Sequence, residues 1–322
     1  MNLRDLEYLV ALDEELHFHR AAQRCFVSQP TLSGQIKKLE ERLGVTLVER
    51  GNRQVVMTDA GHAVVSRARR VLAEVRAVRE VAKSFQDPMQ AELHVGLIPT
   101  VGPYLLPLFM PEVKRRHPRL KLFLHEHQTA VLLRKLADGD LDLLILALPV
   151  ETDEFAEIDL YEEPFWLAAP HEDGLGKRAN AELADLEGRE VLLLEEGHCL
   201  RGQALDVCVS AGASEYAGFR ATSLETLRHM VGEGLGITLM PELAVPRHRV
   251  RAAPVRYLPF VEPVPSRRIG FLFRKGSYRE PTFNALAQLI EETVGARRRS
   301  AEPSSKAKRK VAKRAAGAKV RR

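Results

Sequence analysis

The sequence predicts a small all-α winged helix-turn-helix domain at the N-terminus, then a long linker helix, then a larger α/β domain. Short helical patterns separated by a tight turn fill residues 1–58, and a heptad repeat runs through residues 64–85. Apolar strands then alternate with helical patterns over residues 91–296. We therefore divide the chain into an N-terminal helical domain at 1–58, which we call the reading head, a linker and hinge at 59–90, the α/β domain at 91–296 and a C-terminal tail at 297–322.

The composition indicates a globular chain with a charged tail. Hydrophobic residues make up 45% of the 322 positions, and no apolar run reaches the roughly 20 residues of a membrane span. The N-terminus lacks the pattern of a signal peptide, so we expect a cytoplasmic protein with reduced thiols and no membrane partner. Of the net charge of +5, residues 297–322 carry twelve Lys and Arg and one acid, which leaves 36 cations and 42 acids, or −6, for the other 296 residues.

Three helices are predicted in the reading head. Leucines at near-helical spacing predict the first helix from Leu3, and a second short helix begins at Phe18. The third helix has Pro30 in its first turn, with Ser28 or Gln29 as its cap. Gly44 ends it. Four of its residues are expected to face the core: Leu32, Ile36, Leu39 and Leu43.

A short helix, a tight turn and a helix that begins with small polar residues form the pattern of a helix-turn-helix, whose second helix enters the major groove of DNA. Residues 45–57 predict a wing hairpin with arginines suited to phosphates. The residues expected at double-stranded DNA are Gln29, Pro30, Thr31, Ser33, Gly34, Lys37, Arg50 and Arg53. The alternative is a fragment of an ordinary three-helix bundle without a DNA partner.

A long helix capped by Thr58 and Asp59 is predicted to run to about Gln86. Its apolar residues alternate at spacings of four and three, which is a heptad seam: Val64, Ala68, Val71, Val75, Val78, Ala82 and Phe85. So regular a seam favours pairing with a second copy of the chain over burial in its own core. A homodimer would present two reading heads to two DNA half-sites.

With these elements in place, residues 1–86 resemble the DNA-binding half of the LysR-type transcriptional regulators. The matching segments begin at Leu3-Arg4-Asp5-Leu6 and continue through Arg20-Ala21-Ala22, residues 27–33, residues 47–50 and residues 58–61. The resemblance implies a transcriptional regulator and not an enzyme. It also implies a homodimer or homotetramer on promoter or operator DNA, with RNA polymerase as a partner of an activator.

The α/β domain is predicted from strands at residues 93–98, 120–125, 142–148, 165–169, 191–195, 237–240 and 269–273, and from helices at 132–137, 224–232 and 283–294. Their alternation indicates parallel sheets. Because the domain is large for one such sheet, we expect two lobes around a cleft. The family resemblance implies a two-lobed sensor similar to periplasmic binding proteins, with lobe one at 91–161 and 267–296 and lobe two at 162–266.

Two threonines follow the first two of these strands. Thr100 and Thr129 could each cap a helix that faces the cleft, because ligands of open α/β sheets bind beyond the carboxyl ends of the strands. Capping threonines are also common as purely structural residues, and the pattern does not decide between the two roles.

Cysteines indicate a redox site. Cys199 and Cys208 lie nine positions apart, and Cys25 is the one other cysteine. If the segment is helical, its rise of about 1.5 Å per residue places their Cα atoms about 13 Å apart. A disulfide needs about 4.4–6.8 Å, so joining them would unwind that helix. The alternative is a pair of buried, inert thiols.

The setting of Cys199 partly favours a reactive thiolate. It would lie at a helix N-terminus, where the helix dipole favours negative charge. His198 and Arg201 add donors or positive charge, whereas Glu195 and Glu196 oppose a thiolate. A thiolate attacks peroxide to give a sulfenic acid, which a second thiol converts to a disulfide, and Cys208 is the candidate in this region.

The segment from Glu196 to Arg201, together with Cys208, is similar to the signature of LysR-type regulators that sense hydrogen peroxide. The resemblance implies that Cys199 is the peroxidatic cysteine and Cys208 the resolving one. It implies a peroxide pocket lined by Thr100, Thr129, His198 and Arg267, and control of oxidative-stress genes.

Two other functions stay open: a LysR-type regulator that responds to a small organic anion in the cleft, and a thiol peroxidase. We expect no metal, because His125 and His127 lack a second ligand pair at a zinc-like spacing. We expect no cofactor, because the sequence has no P-loop and no dinucleotide-binding glycine pattern.

The tail at 297–322 lies outside the family pattern. Lys, Arg, Ala and Ser dominate it, which predicts a segment without a core, disordered in solution. We expect its cations to hold DNA phosphates without reading sequence. The alternative is a passive solvated extension.

Overall fold

The structure is a computed structural model that describes residues 1–50, 55–84, 92–246 and 254–301. Its helices are α1 (Leu3–Glu15), α2 (Phe18–Arg24), α3 (Gln29–Leu43), α4 (Asp59–Ser84), α5 (Gly102–Arg116), α6 (Thr129–Ala137), α7 (Cys199–Ser210), α8 (Leu224–Gly232) and α9 (Glu280–Ala301). Its strands are β1 (Val48–Arg50), β2 (Val55–Met57), β3 (Glu92–Leu97), β4 (Lys121–Glu126), β5 (Leu143–Leu148), β6 (Phe155–Pro170), β7 (Glu190–Leu194), β8 (Ser214–Ala221), β9 (Thr238–Pro241), β10 (Val255–Pro259) and β11 (Ser266–Arg274).

The chain forms two compact units. The first contains Met1–Gly96, Lys121–Leu124 and Ala130–Leu144, and the second contains Leu97–Leu120, His125–Thr129 and the chain from Ile145 onward. Among the described residues, no helix is both long and apolar enough to cross a membrane.

Local hydrogen bonds set the helix ends of the reading head as predicted. The Ser28 hydroxyl accepts from the backbone N–H of Thr31 and begins α3, and Gly44 ends it with φ +70. The Thr58 hydroxyl accepts from the N–H of Gly61 at 2.9 Å, so it caps α4.

The helices of the reading head enclose one apolar core. Its fully buried residues are Leu9, Leu12, Ala21, Leu32, Ile36, Leu39 and Leu47. The prediction for Leu43 is wrong, because 39% of this residue is exposed. It is the last residue of α3, where the chain already turns away through Gly44. Cys25 is half-buried against this core.

A wing hairpin follows α3, as predicted. Strands β1 and β2 pair antiparallel, with Val48 opposite Met57. Arg53 lies outside the described residues, and so does the side chain of Arg50.

Within the first unit, α4 packs against the turn that follows α6. Ser66 donates to Asp138 at 2.8 Å, Arg69 donates to Asp140 at 2.8 Å, and Arg70 donates to the carbonyl of Ala137. Arg69 also donates to Asp13 of α1 at 3.0 Å, so it joins the reading head to this turn.

The large sheet contains antiparallel strand pairs, which corrects the prediction of parallel sheets. Its strand order is β10-β6-β11-β5-β3-β4, and β9 also pairs with β6. Strands β9, β10 and β11 all run antiparallel to β6, a 16-residue strand whose first ten residues the sequence analysis missed. Strands β7 and β8 form a separate parallel pair.

The sequence analysis also missed helix α5, because it contains prolines. Pro103, Pro107 and Pro111 recur every fourth residue, so they share one face of the helix, and all three are exposed. Leu105, Phe109 and Val113 recur at the same spacing on the buried face.

The buried residues of a second apolar core lie between Phe165 and Phe260 and include Leu200 and Cys208 of α7. These residues lie inside the range predicted for lobe two, and the lobe boundaries stay predictions.

Helix α9 continues to Ala301, so the predicted start of the disordered tail at residue 297 is wrong. Arg297 donates to the carbonyl of Leu243 and Arg298 to the carboxylate of Glu242, which holds the last turns of α9 in place. The tail beyond Ala301 lies outside the described residues.

We predict that Gly139→Ala destabilises the chain. Gly139 has φ +80, and a Cβ atom there would overlap Cβ of Ala73 on α4. Left-handed strain and overpacking together should lower the free energy of unfolding by about 2–4 kcal/mol, measured by urea denaturation.

Gly188→Ala is the matched control. Gly188 has φ +68 and no atom within 4 Å of the new Cβ, so it should show the backbone strain alone, about 1 kcal/mol. Equal losses for the two variants would contradict the close packing of Gly139 on α4.

Candidate functional site

Helix α7 holds both candidate redox cysteines. Cys199 is its first residue and Cys208 lies in its last turn, and both are free thiols. The segment between them is therefore helical, and the predicted place of Cys199 at a helix N-terminus is confirmed. Because α7 is continuous, its rise of about 1.5 Å per residue keeps the two Cα atoms about 13 Å apart, beyond the reach of a disulfide.

The loop before α7 is positioned by a glycine. Gly197 has φ +92, a left-handed conformation that disfavours other residues. A Cβ atom on Gly197 would also lie 2.6 Å from Oε1 of Gln128. Gln128 immediately precedes Thr129, so this close approach brings the loop that ends in His198 beside the start of α6.

The Cys199 thiol contacts a threonine hydroxyl. Oγ1 of Thr129 lies 2.7 Å from Sγ of Cys199, and either atom can be the donor. Cys199 is partly exposed, so solvent reaches this residue. A hydroxyl at this distance can donate a hydrogen bond to a thiolate or accept one from the thiol.

Cys208 has the opposite environment. It is 0% exposed within the second apolar core, and burial raises the pKa of its thiol to about 11. A thiol with that pKa is almost entirely protonated at neutral pH, so Cys208 is unreactive while it stays in the core.

His198 precedes Cys199 as the N-cap residue of α7 and is buried. Burial lowers the pKa of its imidazole, and the Glu195 carboxylate, with Oε1 3.9 Å from Nε2, acts in the opposite direction. The net shift is downward, so the imidazole is neutral at neutral pH and can accept a proton.

Thr100 and Arg267 form the second group of predicted pocket residues. Arg267 donates to Oγ1 and to the carbonyl oxygen of Thr100, each at 3.0 Å. Thr100 does not cap a helix, which corrects the prediction, because Val101 occupies the N-cap position of α5. Its hydroxyl is instead an acceptor for a buried guanidinium.

Glu163 is the partner of Arg267 and was missed by the sequence analysis. Oε2 of Glu163 accepts from Nε and Nη2 of Arg267 at 2.9 and 2.7 Å, and the two side chains are 1% and 0% exposed. Oε1 of Glu163 also accepts from the backbone N–H of Leu243 at 3.0 Å. No sequence signal identified Glu163, because it lies in the middle of the long strand β6, 104 positions from Arg267.

Arg201 does not act as an uncompensated charge beside Cys199. It forms a bidentate pair with Glu215 at 2.7 and 2.8 Å, and hydrogen bonding to Glu215 raises the pKa of the guanidinium. The pair links the first turn of α7 to β8, so Arg201 holds the helix start in place.

No cluster of three metal-ligating side chains occurs in the part of the chain that the structure describes. His125 is half-buried and His127 is exposed, at the end of β4 and just after it.

The predicted DNA-binding residues of α3 form an accessible surface. Gln29, Pro30, Thr31, Gly34 and Lys37 are exposed, and Ser33 is half-buried. The Thr31 hydroxyl hydrogen-bonds that of Ser28 at 2.7 Å, so it supports the cap as well as facing outward.

We predict that Glu163→Gln destabilises the chain by about 3 kcal/mol, because it leaves the buried Arg267 cation without a carboxylate. Urea denaturation of the full chain measures the change. The double variant Glu163→Gln/Arg267→Met should recover part of the loss, since it removes the unpaired charge. A double variant that loses the sum of both single effects would contradict a coupled pair.

Comparison with known proteins agrees with this architecture. The model of the LysR substrate binding domain matches residues 86–295, and that of the bacterial regulatory helix-turn-helix protein, lysR family, matches residues 3–62. The chain is 52% identical over 290 residues to the DNA-binding transcriptional dual regulator OxyR of Escherichia coli K12, covering 90% of this chain and 95% of that protein.

A hydrogen peroxide-inducible genes activator of Haemophilus influenzae is 48% identical over 294 residues, which cover 91% of this chain and 97% of that protein. A solved structure of a full-length OxyR cysteine-to-aspartate variant from Pseudomonas aeruginosa is similar at a TM-score of 0.76 and 38% identity, covering 90% of this chain and 94% of that one. The chain belongs to the LysR family of bacterial helix-turn-helix regulators, and its N-terminal domain is the DNA-binding part.

Proposed function

We propose that this chain is a transcriptional regulator that senses hydrogen peroxide through oxidation of Cys199 and controls oxidative-stress genes. The observation that carries the proposal is the Cys199 thiol at the start of α7, 2.7 Å from the Thr129 hydroxyl, with Cys208 buried in the last turn of the same helix. The names of the relatives that are 48–52% identical to this chain also support hydrogen peroxide as the signal.

In the first step the Cys199 thiolate attacks one oxygen of hydrogen peroxide. The S–O bond forms, the O–O bond breaks, and the departing hydroxide takes a proton to become water, which leaves Cys199 as a sulfenic acid. Thr129 can stabilise the thiolate by hydrogen bonding. The neutral imidazole of His198 can accept the proton that the thiol loses.

In the second step the Cys208 thiolate attacks the sulfenic sulfur. The S–S bond forms, the S–O bond breaks, and the hydroxyl leaves as water after it gains a proton. The buried Cys208 thiol is protonated at neutral pH because its pKa is about 11. Unwinding of α7 must therefore expose Cys208 before it reacts, which places the helix transition between the two oxidation steps.

The unwinding of α7 would also change how the copies of the chain assemble on DNA. A disulfide cannot form while α7 is intact, so the oxidised and reduced chains differ in the packing of the second apolar core, which contains Cys208. A ligand or modification shifts an assembly only through different stabilities of its two states. We propose that the two packings favour different spacings of the reading heads on DNA.

A homodimer through α4 supplies the second reading head. On the predicted seam Val71 is 44% and Val78 is 70% exposed, whereas Ala68 is buried within the chain. Val64 and Val75 are half-buried. The side chain of Ala82 and all of Phe85 lie outside the described residues. Exposed valines in a heptad register favour a second copy of this helix as partner, and assembly to a tetramer and contact with RNA polymerase belong to the same proposal.

We predict that Cys199→Ser abolishes the response to peroxide and leaves DNA binding intact. Footprinting on a selected DNA duplex should show the reduced pattern with and without peroxide, and peptide mass spectrometry should find no 199–208 linkage. Cys208→Ser should stop at a sulfenic acid that dimedone traps, with a partial change of footprint.

Cys25→Ser is the matched control, because Cys25 packs in the reading head and lies outside α7. It should respond to peroxide as the wild type does. A Cys199→Ser chain whose footprint still changes with peroxide would sink the mechanism, and repeated peroxide turnover with thioredoxin would indicate a thiol peroxidase instead.

We also propose that the tail adds sequence-independent affinity for DNA. Residues 303–322 contain nine Lys and Arg and no acid, and each phosphate contact contributes about 0.9 to the slope of log affinity against log salt. Truncation after Glu302 should reduce the magnitude of that slope by roughly 2–8. A full-length chain with those nine residues changed to Gln separates charge from length, and an unchanged slope in both would exclude the contact.

A further inference from the structure

Phe26 occupies an unusual position in the turn between α2 and α3. It is 96% exposed, and its backbone has φ +55, in the left-handed region. A bulky residue at positive φ is rare because its Cβ crowds the backbone. Neither the backbone conformation nor burial in the chain therefore favours phenylalanine here.

Hydrogen bonds show why this position is left-handed. Cys25 is the C-cap of α2, the N–H of Phe26 donates to the carbonyl of Gln23 at 3.1 Å, and the N–H of Val27 donates to that of Ala22 at 3.0 Å. This is the Schellman arrangement, in which the residue after the cap is usually glycine and sometimes asparagine. Phenylalanine at this position costs conformational energy that either of those residues would avoid.

The other non-glycine residue with positive φ in the described ranges is Leu16, the C-cap residue of α1. Leu16 has φ 46 and is 51% exposed, so it recovers part of that cost by burying about half of its surface. Phe26 recovers almost nothing within the chain. A residue that costs conformational energy and gains no burial within the chain indicates a stabilising contact with a partner outside the chain.

The neighbours of Phe26 indicate the partner. Phe26 lies two residues before Ser28, the N-cap of α3, and the adjacent Gln29, Pro30 and Thr31 are exposed. The N-terminal end of a recognition helix is the end that meets base edges in the major groove. Phe26 therefore extends the surface that α3 presents to DNA.

The chemistry of the Phe26 side chain limits which group of the DNA it can contact. A phenyl ring has no donor for a phosphate or a base edge, and the apolar group that the major groove displays is the 5-methyl of thymine. We propose that Phe26 is a DNA-contact residue that packs on a thymine methyl beside the bases faced by the first turn of α3. The proposal rests on the DNA-binding half of the proposed function and is independent of peroxide sensing.

The test uses the full-length chain and the tightest duplex that it selects from a random library. Each thymine of that duplex is replaced in turn by deoxyuridine, which lacks only the 5-methyl group. The wild type should lose about fourfold in affinity at one thymine per half-site, the value of one buried methyl. Phe26→Asn should bind the parent duplex more weakly and lose discrimination at that thymine, while its Tm rises because the left-handed strain is relieved.

Two further variants separate strain from contact. Phe26→Gly should repeat the result of Phe26→Asn, and Leu16→Asn should raise the Tm without changing the deoxyuridine profile. Wild-type affinity, or an unchanged deoxyuridine profile, in Phe26→Asn would overturn the proposal. If the wild type selects no duplex at all, the DNA-binding proposal fails first and this contact fails with it.

Discussion

The length of one helix governs the redox chemistry of this chain. Cys199 and Cys208 lie in the first and last turns of α7, so an intact helix keeps them about 13 Å apart while a disulfide allows about 4.4–6.8 Å. The reduced fold and the disulfide therefore exclude one another. Any oxidant that drives formation of the bond must also break the hydrogen bonds of α7, which converts a local reaction into a change of tertiary packing.

Several contacts stabilise the reduced arrangement. The Arg201–Glu215 pair anchors the first turn of α7 to β8, and Gly197 lets the preceding loop approach Gln128. Burial keeps Cys208 protonated in the apolar core. The Cys199 thiol is thus accessible and the Cys208 thiol is not, so in the proposed mechanism the order of the two oxidation steps follows from burial and helix geometry.

Capping residues were readable from the sequence because their rules are local: Ser28, Gly44 and Thr58 each lie at the end of a helix as predicted. The position of Cys199 at a helix N-terminus was predicted in the same way. The Glu163–Arg267 pair was not, because it joins residues 104 positions apart and no local pattern encodes such a contact. Helix α5 was missed because prolines usually interrupt a helix, although their spacing of four residues confines them to the exposed face.

Amide hydrogen exchange across residues 200–209, before and after one equivalent of peroxide, tests the central claim most directly. The account predicts slow exchange throughout α7 in the reduced chain and loss of that protection in step with formation of the 199–208 disulfide. A disulfide that forms while these amides keep their protection would contradict it.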